Sequence, residues 1–196
     1  MQKIAHAVQN LDEAQKAIDY GCDLLEIDIS QNMFTGNFLI QHDAIKGKFG
    51  IGKNLLEILN SQFKEKLVLD LKAVKYSPDF GRKFANLVGS AKIKNLILTS
   101  IDLKASSKIA QETNAEIYYG FINNKSINYF WKISSLLYKP AGFSVKSSLI
   151  DKDLIRRLKS THPKSQIWAW TVNDGDEIKR LEKIGIDAVI TDNWRS

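Results

Sequence analysis

Short stretches where apolar residues alternate with polar ones, or run together for a few positions, recur from one end of the chain to the other. Between them lie segments whose apolar residues return every three or four positions. The first pattern is that of a β-strand, the second that of a helix packed on a core. Strands are expected at residues 3–6, 24–29, 38–42, 67–72, 96–100, 117–121, 142–145, 167–172 and 188–191. Helices are expected at residues 11–20, 54–59, 78–88, 103–112, 152–160 and 176–184. Leu154, Ile155 and Leu158 make one helical face, and Ile178, Leu181 and Ile184 another. Asp102, Asp151 and Asp174 stand just ahead of helices, where a carboxylate accepts from free N–H groups. Gly21 and Gly185 follow helices, where a left-handed residue ends them.

One pair of strands breaks the alternation. Ile29 and Phe38 are too close for a crossover helix, because parallel strands need a dozen or more residues between them. These two strands should form a hairpin turning around Thr35, Gly36 and Asn37. Leaving out its second arm, eight strands remain with helices between them. That is the α/β class, and specifically a small (β/α)8 (TIM) barrel with an extra hairpin strand near its active face. No linker, low-complexity tract or longer repeat interrupts it, so residues 1–196 read as one domain.

Composition narrows the setting. The chain has 196 residues, 44% of them hydrophobic and 26% charged, which excludes a disordered protein. A single cysteine, Cys22, leaves no internal disulfide and no cysteine-based zinc cluster. No apolar run approaches the ~20 residues needed to cross a bilayer. A reducing, cytoplasmic setting is expected. Lys and Arg number 28 against 22 Asp and Glu, a net charge of +6 that suits an anionic partner such as a phosphate ester or a lipid surface. No reader motif accompanies the charge, so nucleic acid is not an expected partner.

Chemistry-bearing residues collect at the C-terminal ends of the expected strands, where barrel active sites lie. His6 ends the first. Glu26 and Asp28, two apart, share one side of the second, as Asp70 and Lys72 do farther on. His42 ends the return arm of the hairpin, and Thr171 and Asn173 end another strand. Glu26, Asp28 and Asp70 make an all-oxygen donor set, suited to one divalent cation, Mg²⁺ or Ca²⁺, rather than to zinc. His6 and His42 supply one acid and one base, since imidazole titrates near neutrality, and Lys72 can hold a phosphate oxygen. Each has a plainer reading, as a solvated strand end or a salt bridge. The joint pattern carries more weight, because every member must sit at the same face.

These residues resemble the glycerophosphodiester phosphodiesterase family and the spider-toxin-type phospholipase D branch of its superfamily. Ile4-Ala5-His6 is similar to the opening strand with the first catalytic histidine, and Glu26-Ile27-Asp28 to the metal motif. Gln41-His42-Asp43 corresponds to the second histidine, and Leu69-Asp70-Leu71-Lys72 to the strand with the third acidic ligand and a lysine. Trp170-Thr171-Val172-Asn173 and Gly185 through Asp192 match two further family motifs. The resemblance implies a metal-dependent phosphodiesterase with His6 and His42 as catalytic residues and Glu26, Asp28 and Asp70 as metal ligands. Lys72, Trp170 and Asn173 would bind phosphate and substrate. It implies glycerophosphodiesters as substrates, cut to glycerol phosphate and an alcohol, with a substrate hydroxyl attacking first to give a cyclic phosphate. The chain departs from the family at Ala7, where an arginine is usual, at Gln9, where a glutamate is usual, and at Asp70, where glutamate is common.

Three alternatives stand beside that reading. A phospholipase D-like lyase would act on lysophospholipids and bind a lipid headgroup. A binding module would keep the barrel without turnover. Gly47 through Lys53 also satisfies the Gly-x4-Gly-Lys spacing of a phosphate loop, but Asn54 stands where that loop needs a Ser or Thr hydroxyl. The segment is better read as a basic loop over the site, with Lys46, Lys48 and Lys53 attracting anions.

Overall fold

Residues that alternate in the sequence separate onto the two sides of one closed sheet. The computed structural model describes residues 1–72 and 79–195. Its strands are β1 (Gln2–Ala5), β2 (Leu24–Gln31), β3 (Phe38–Ile40), β4 (Lys53–Asn54), β5 (Leu67–Leu71), β6 (Ile97–Ser100), β7 (Glu116–Phe121), β8 (Gly142–Lys146), β9 (Gln166–Trp170) and β10 (Ala188–Thr191). Its helices are α1 (Leu11–Asp19), α2 (Ala44–Lys48), α3 (Leu55–Leu59), α4 (Phe80–Ser90), α5 (Leu103–Thr113), α6 (Asn124–Ile133), α7 (Lys152–Thr161) and α8 (Gly175–Lys183). Eight strands pair in parallel in the order β1, β2, β5, β6, β7, β8, β9, β10, and β10 returns to β1 to close the barrel. The hairpin arm β3 runs antiparallel to β2, outside the ring.

Strand parity sorts the side chains. Leu25, Ile27, Leu69, Leu98, Ile117, Phe143, Val145 and Ala169 face outward into the layer shared with the helices. Ile4, Val68, Tyr118, Trp168, Ala188 and Ile190 face inward and plug the barrel. Tyr118 stacks on Trp168 with ring centroids 3.6 Å apart, and the Tyr118 hydroxyl and Trp168 indole N–H both donate to Gln166 Oε1. A glycine is required at 142, because a Cβ there would lie 2.3 Å from the Tyr118 ring. With its lower half filled, the barrel can hold a site only above this plug.

The expected strands are present with ends that differ by a few residues, and the hairpin turns where it should, with Gly36 at φ +76°. Asp102, Asp151 and Asp174 cap α5, α7 and α8 as expected. Gly21 and Gly185 are left-handed, at φ +95° and +86°. Three differences have local causes. The second expected helix starts at Leu55 rather than Asn54, whose side chain is the cap, accepting from Leu56 N–H. The segment after His42, read as a loop, folds as α2 followed by β4, which pairs with β3. Gly47 lies inside α2 against Ser30, where a Cβ would meet Ser30 Cβ at 2.2 Å, so its role is close packing and the phosphate-loop pattern is spurious. Helix α6, not singled out by periodicity, is set by a capping box at Asn123 and Ser126. The expected helix start at Pro78 lies outside the described residues.

Phe38 fastens the hairpin to the body by packing edge-on against Phe80 and Phe84 of α4, at 5.1 and 5.3 Å between centroids. Gln41 N–H donates to Asp28 C=O at 2.9 Å, which brings the next residue, His42, over the open end of the barrel. No helix among the described residues is long and apolar enough to cross a membrane.

Candidate active site

Above the plug, the inward positions turn polar. His6, Glu26, Asp28, Asp70, Lys72 and Thr99 follow the same parity as Ile4, Leu24, Val68 and Ile97 one step below. All but Asp28 line a cavity of about 310 Å³, together with His42, Gly120, Ser144, Trp170 and the exposed Ile101 and Ile122. Of the eight residues expected at the site, His6, Glu26, His42, Asp70, Lys72 and Trp170 line this cavity. Asp28 sits directly behind it, hydrogen-bonded to His42 and paired by charge with Lys72.

The carboxylates form a tight group. Glu26, Asp28 and Asp70 each offer an oxygen within 4.8 Å of the others. Asp28 and Asp70 are register neighbours on β2 and β5. Glu26 Oε2 accepts the Ala7 N–H at 2.7 Å, and Asp70 Oδ1 accepts the Thr99 hydroxyl at 2.8 Å. Burial, then the like charges of Asp28 and Asp70, push the Glu26 carboxyl well above its ordinary value. Burial alone would also raise Asp28, but Lys72 and His42 outweigh it and hold that carboxyl below its ordinary value. Burial would lower Lys72, yet Asp70, Asp28 and Glu26 around its ammonium raise it strongly, so it stays charged. Lys72 Nζ is 3.1 Å from Asp28 Oδ1 and pairs also with Asp70.

This donor set fits a divalent cation. Three carboxyl groups crowd around one ammonium, and their mutual repulsion is what a bound cation would relieve. Asp28 Oδ1 is buried and accepts no hydrogen bond, despite the nearby Lys72. All donors are oxygen, as Mg²⁺ and Ca²⁺ prefer.

Both histidines are backed by carboxylates. His6 Nδ1 lies 2.9 Å from Asp192 Oδ1, and His42 Nδ1 lies 3.0 Å from Asp28 Oδ2. Partial burial works against the charge on Asp192, but hydrogen bonds from His6 and Asn173, with Arg195 close by, hold its carboxyl below its ordinary value. Both carboxylates are therefore ionised at neutral pH and can only accept, so each histidine donates from Nδ1. Nε2 is then the nitrogen left to exchange protons in the cavity.

Asn173 stands apart from the other expected residues. Its Oδ1 accepts from the Thr191 hydroxyl and the Asp192 N–H, its Nδ2 donates to Asp192 Oδ2, and it is not among the cavity-lining residues. Asp192, Arg195 and Thr99 belong to the site in addition to the residues expected from the sequence. Arg195 pairs with Asp192 and donates to the backbone carbonyls of His6 and Ala7 at 2.8 and 2.9 Å. Parity carried a signal for Asp192, two positions beyond the inward-facing Ile190. Arg195 carried none, since the backbone carbonyls it donates to lie 188 and 189 residues away.

A barrel whose mouth joins two carboxylate-backed histidines to an acidic trio and a lysine has the parts of a metal-assisted acid–base site. The chain belongs to the glycerophosphoryl diester phosphodiesterase family, whose model matches residues 38–195. That span contains His42, Asp70, Lys72 and Asp192, while His6, Glu26 and Asp28 precede it. A stretch of 43 residues is 42% identical to the glycerophosphodiester phosphodiesterase GDPD4 of Arabidopsis thaliana, covering 22% of this chain and 12% of that protein. The fold is similar to that of an Oleispira antarctica phosphodiesterase in complex with the product sn-glycerol-3-phosphate. The TM-score is 0.69 at 17% identity, over 98% of this chain and 93% of that one. It is also similar to a glycerophosphodiester phosphodiesterase from Thermotoga maritima, with a TM-score of 0.66 at 19% identity, over 99% and 96% of the two chains.

Proposed function

We propose that this barrel cleaves small glycerophosphodiesters to glycerol phosphate and an alcohol, using His6 and His42 as the acid–base pair. The observation that carries this reading is the pairing of both imidazoles, through Nδ1, with ionised carboxylates at the mouth that also holds the acidic trio. One imidazole Nε2 takes the proton of the attacking hydroxyl, and the other delivers a proton to the departing alkoxide oxygen as the P–O bond breaks. The roles reverse if the first product is a cyclic phosphate that water then opens. Glu26, Asp28 and Asp70 would hold one divalent cation, Mg²⁺ or Ca²⁺, which when bound polarises the phosphoryl oxygens. Lys72 adds a permanent positive charge at the cavity wall. Ala7 replaces the arginine usual in the family, so phosphate binding falls to that lysine and to the cation the acidic trio would hold. Trp170, Ile101, Ile122 and Ile190 give the cavity an apolar side for the glycerol carbons, and its volume suits a headgroup rather than acyl chains.

The test is alcohol release. Glycerophosphocholine incubated with the protein and Mg²⁺ or Ca²⁺ should yield choline, and a chelator should stop it. His6→Ala and His42→Ala should each lose 10²-fold or more, roughly the contribution of one positioned acid–base group. Undiminished release from either variant would contradict the assignment.

A further inference from the structure

Twelve large apolar side chains are exposed among the described residues, and Met33, Phe34, Ile45, Phe49 and Ile51 fall close together in sequence. Phe34 is 73% exposed and Phe49 58%, values that leave most of each ring in water. They do not hang from loose chain. Met33 N–H donates to Lys48 C=O at 3.0 Å, which ties the turn after β2 to α2. Asn32 Oδ1 accepts from Phe34 N–H and Thr35 N–H at 2.8 and 3.2 Å, and the Phe34 and Phe49 rings lie 6.3 Å apart. The fold therefore holds these side chains out as a fixed crown.

The crown stands on the face where the cavity opens. Strand β2 continues three residues beyond Asp28, so at about 3.3 Å per residue its turn rises roughly 10 Å above the carboxylates. Helix α2 begins two residues after His42. At the cavity mouth, Ile101 and Ile122 are also exposed. Lys46, Lys48 and Lys53 accompany the apolar residues, and the sole acid from Met33 to Lys53 is Asp43, whose carboxylate caps α2.

We propose that this crown docks the protein on an anionic phospholipid surface. The apolar side chains enter the boundary between headgroups and acyl chains, the lysines pair with lipid phosphates, and the cavity mouth is held against the surface. Charge favours a lipid over a protein partner, because the cores of protein interfaces are depleted in lysine. Interfacial anchors instead combine Phe, Ile or Leu with a basic rim. The proposal does not rest on turnover at the cavity.

The experiment is sedimentation with vesicles of phosphatidylcholine alone or with about one-third phosphatidylglycerol. Wild type is compared with the double variant Phe34→Ser, Ile45→Ser, and thermal unfolding checks that both fold. Wild type should bind the anionic vesicles, less tightly at high salt, and the variant should bind about tenfold more weakly or worse. Hydrogen exchange on wild type alone should show vesicle-dependent protection concentrated at residues 32–52, which keeps the test valid if the variant is unstable. The proposal is overturned by no binding to either vesicle, or by equal binding of wild type and folded variant. It is equally overturned by self-association through this face without vesicle binding, or by protection spread evenly over the chain.

Discussion

His6 Nδ1 and Asp192 Oδ1 lie 2.9 Å apart although 186 residues separate them in the chain. The contact exists because β1 and β10 close the barrel side by side, with Ala5 opposite Thr191. It engages Nδ1 and leaves Nε2 for the cavity that His6 lines, and Asn173 and Arg195 hold the carboxylate in turn. Asp192→Ala should lower kcat by roughly 10²-fold or more with a smaller change in KM, because the wrong tautomer and a loose ring harm proton transfer more than binding. Asn173→Ala should show the same split at smaller size. Steady-state kinetics on glycerophosphocholine measures both.

Cation binding should appear as stability. At about 100 times the Kd, a ligand of the native state adds about 2.7 kcal/mol, which for a chain of this size raises Tm by roughly 5–10 °C. Mg²⁺ or Ca²⁺ should produce that shift in wild type, a chelator should reverse it, and Glu26→Gln should abolish it.

The metal-free protein should behave in the opposite way. Glu26 has a raised folded-state carboxyl value, so in the folded state its charge is disfavoured. Its contribution to stability is therefore present at low pH and is lost as pH rises past the unfolded value toward the folded one. Metal-free Glu26→Gln should be at least as stable as metal-free wild type at neutral pH, and its advantage should shrink on acidification. Urea unfolding across pH checks the sign.

Lys72 is the counter-charge of the acidic group, and removing it leaves Asp28 and Asp70 without their cation. Lys72→Met should destabilise the metal-free protein by about 3–5 kcal/mol, as when one partner of a buried pair is lost. Divalent cation should restore much of that stability but not the activity. Denaturant titrations with and without metal separate the two.

The hairpin carries His42, and Phe38 anchors the hairpin against Phe80 and Phe84. Phe38→Ala should cost about 3–5 kcal/mol and lower kcat as well, since the arm that aims His42 loosens. Calorimetric unfolding and kinetics on the same preparation test the coupling.

What could be read from the sequence was what parity and spacing encode. Period two placed Glu26 with Asp28 and Asp70 with Lys72 on one side of their strands, and the short Ile29-to-Phe38 connection required a hairpin. Elements shorter than a period escaped. The two residues of β4 carry no alternation, and α2 has only five residues with Gly47 in the middle. The support around His6 escaped for another reason. Asp192 and Arg195 meet it only once the barrel closes; parity puts Asp192 on the inward side, but no local pattern names His6 as its partner almost the whole chain away.

The most direct measurement is phosphorus NMR of glycerophosphocholine and glycerophosphoethanolamine incubated with the protein and Mg²⁺ or Ca²⁺. Wild type should convert the diester signal to that of glycerol phosphate, directly or through a cyclic phosphate, with both His6→Ala and His42→Ala leaving it essentially unchanged over the same interval. A diester signal that persists with wild type and metal, or that disappears equally fast with either histidine variant, would contradict acid–base cleavage at this site.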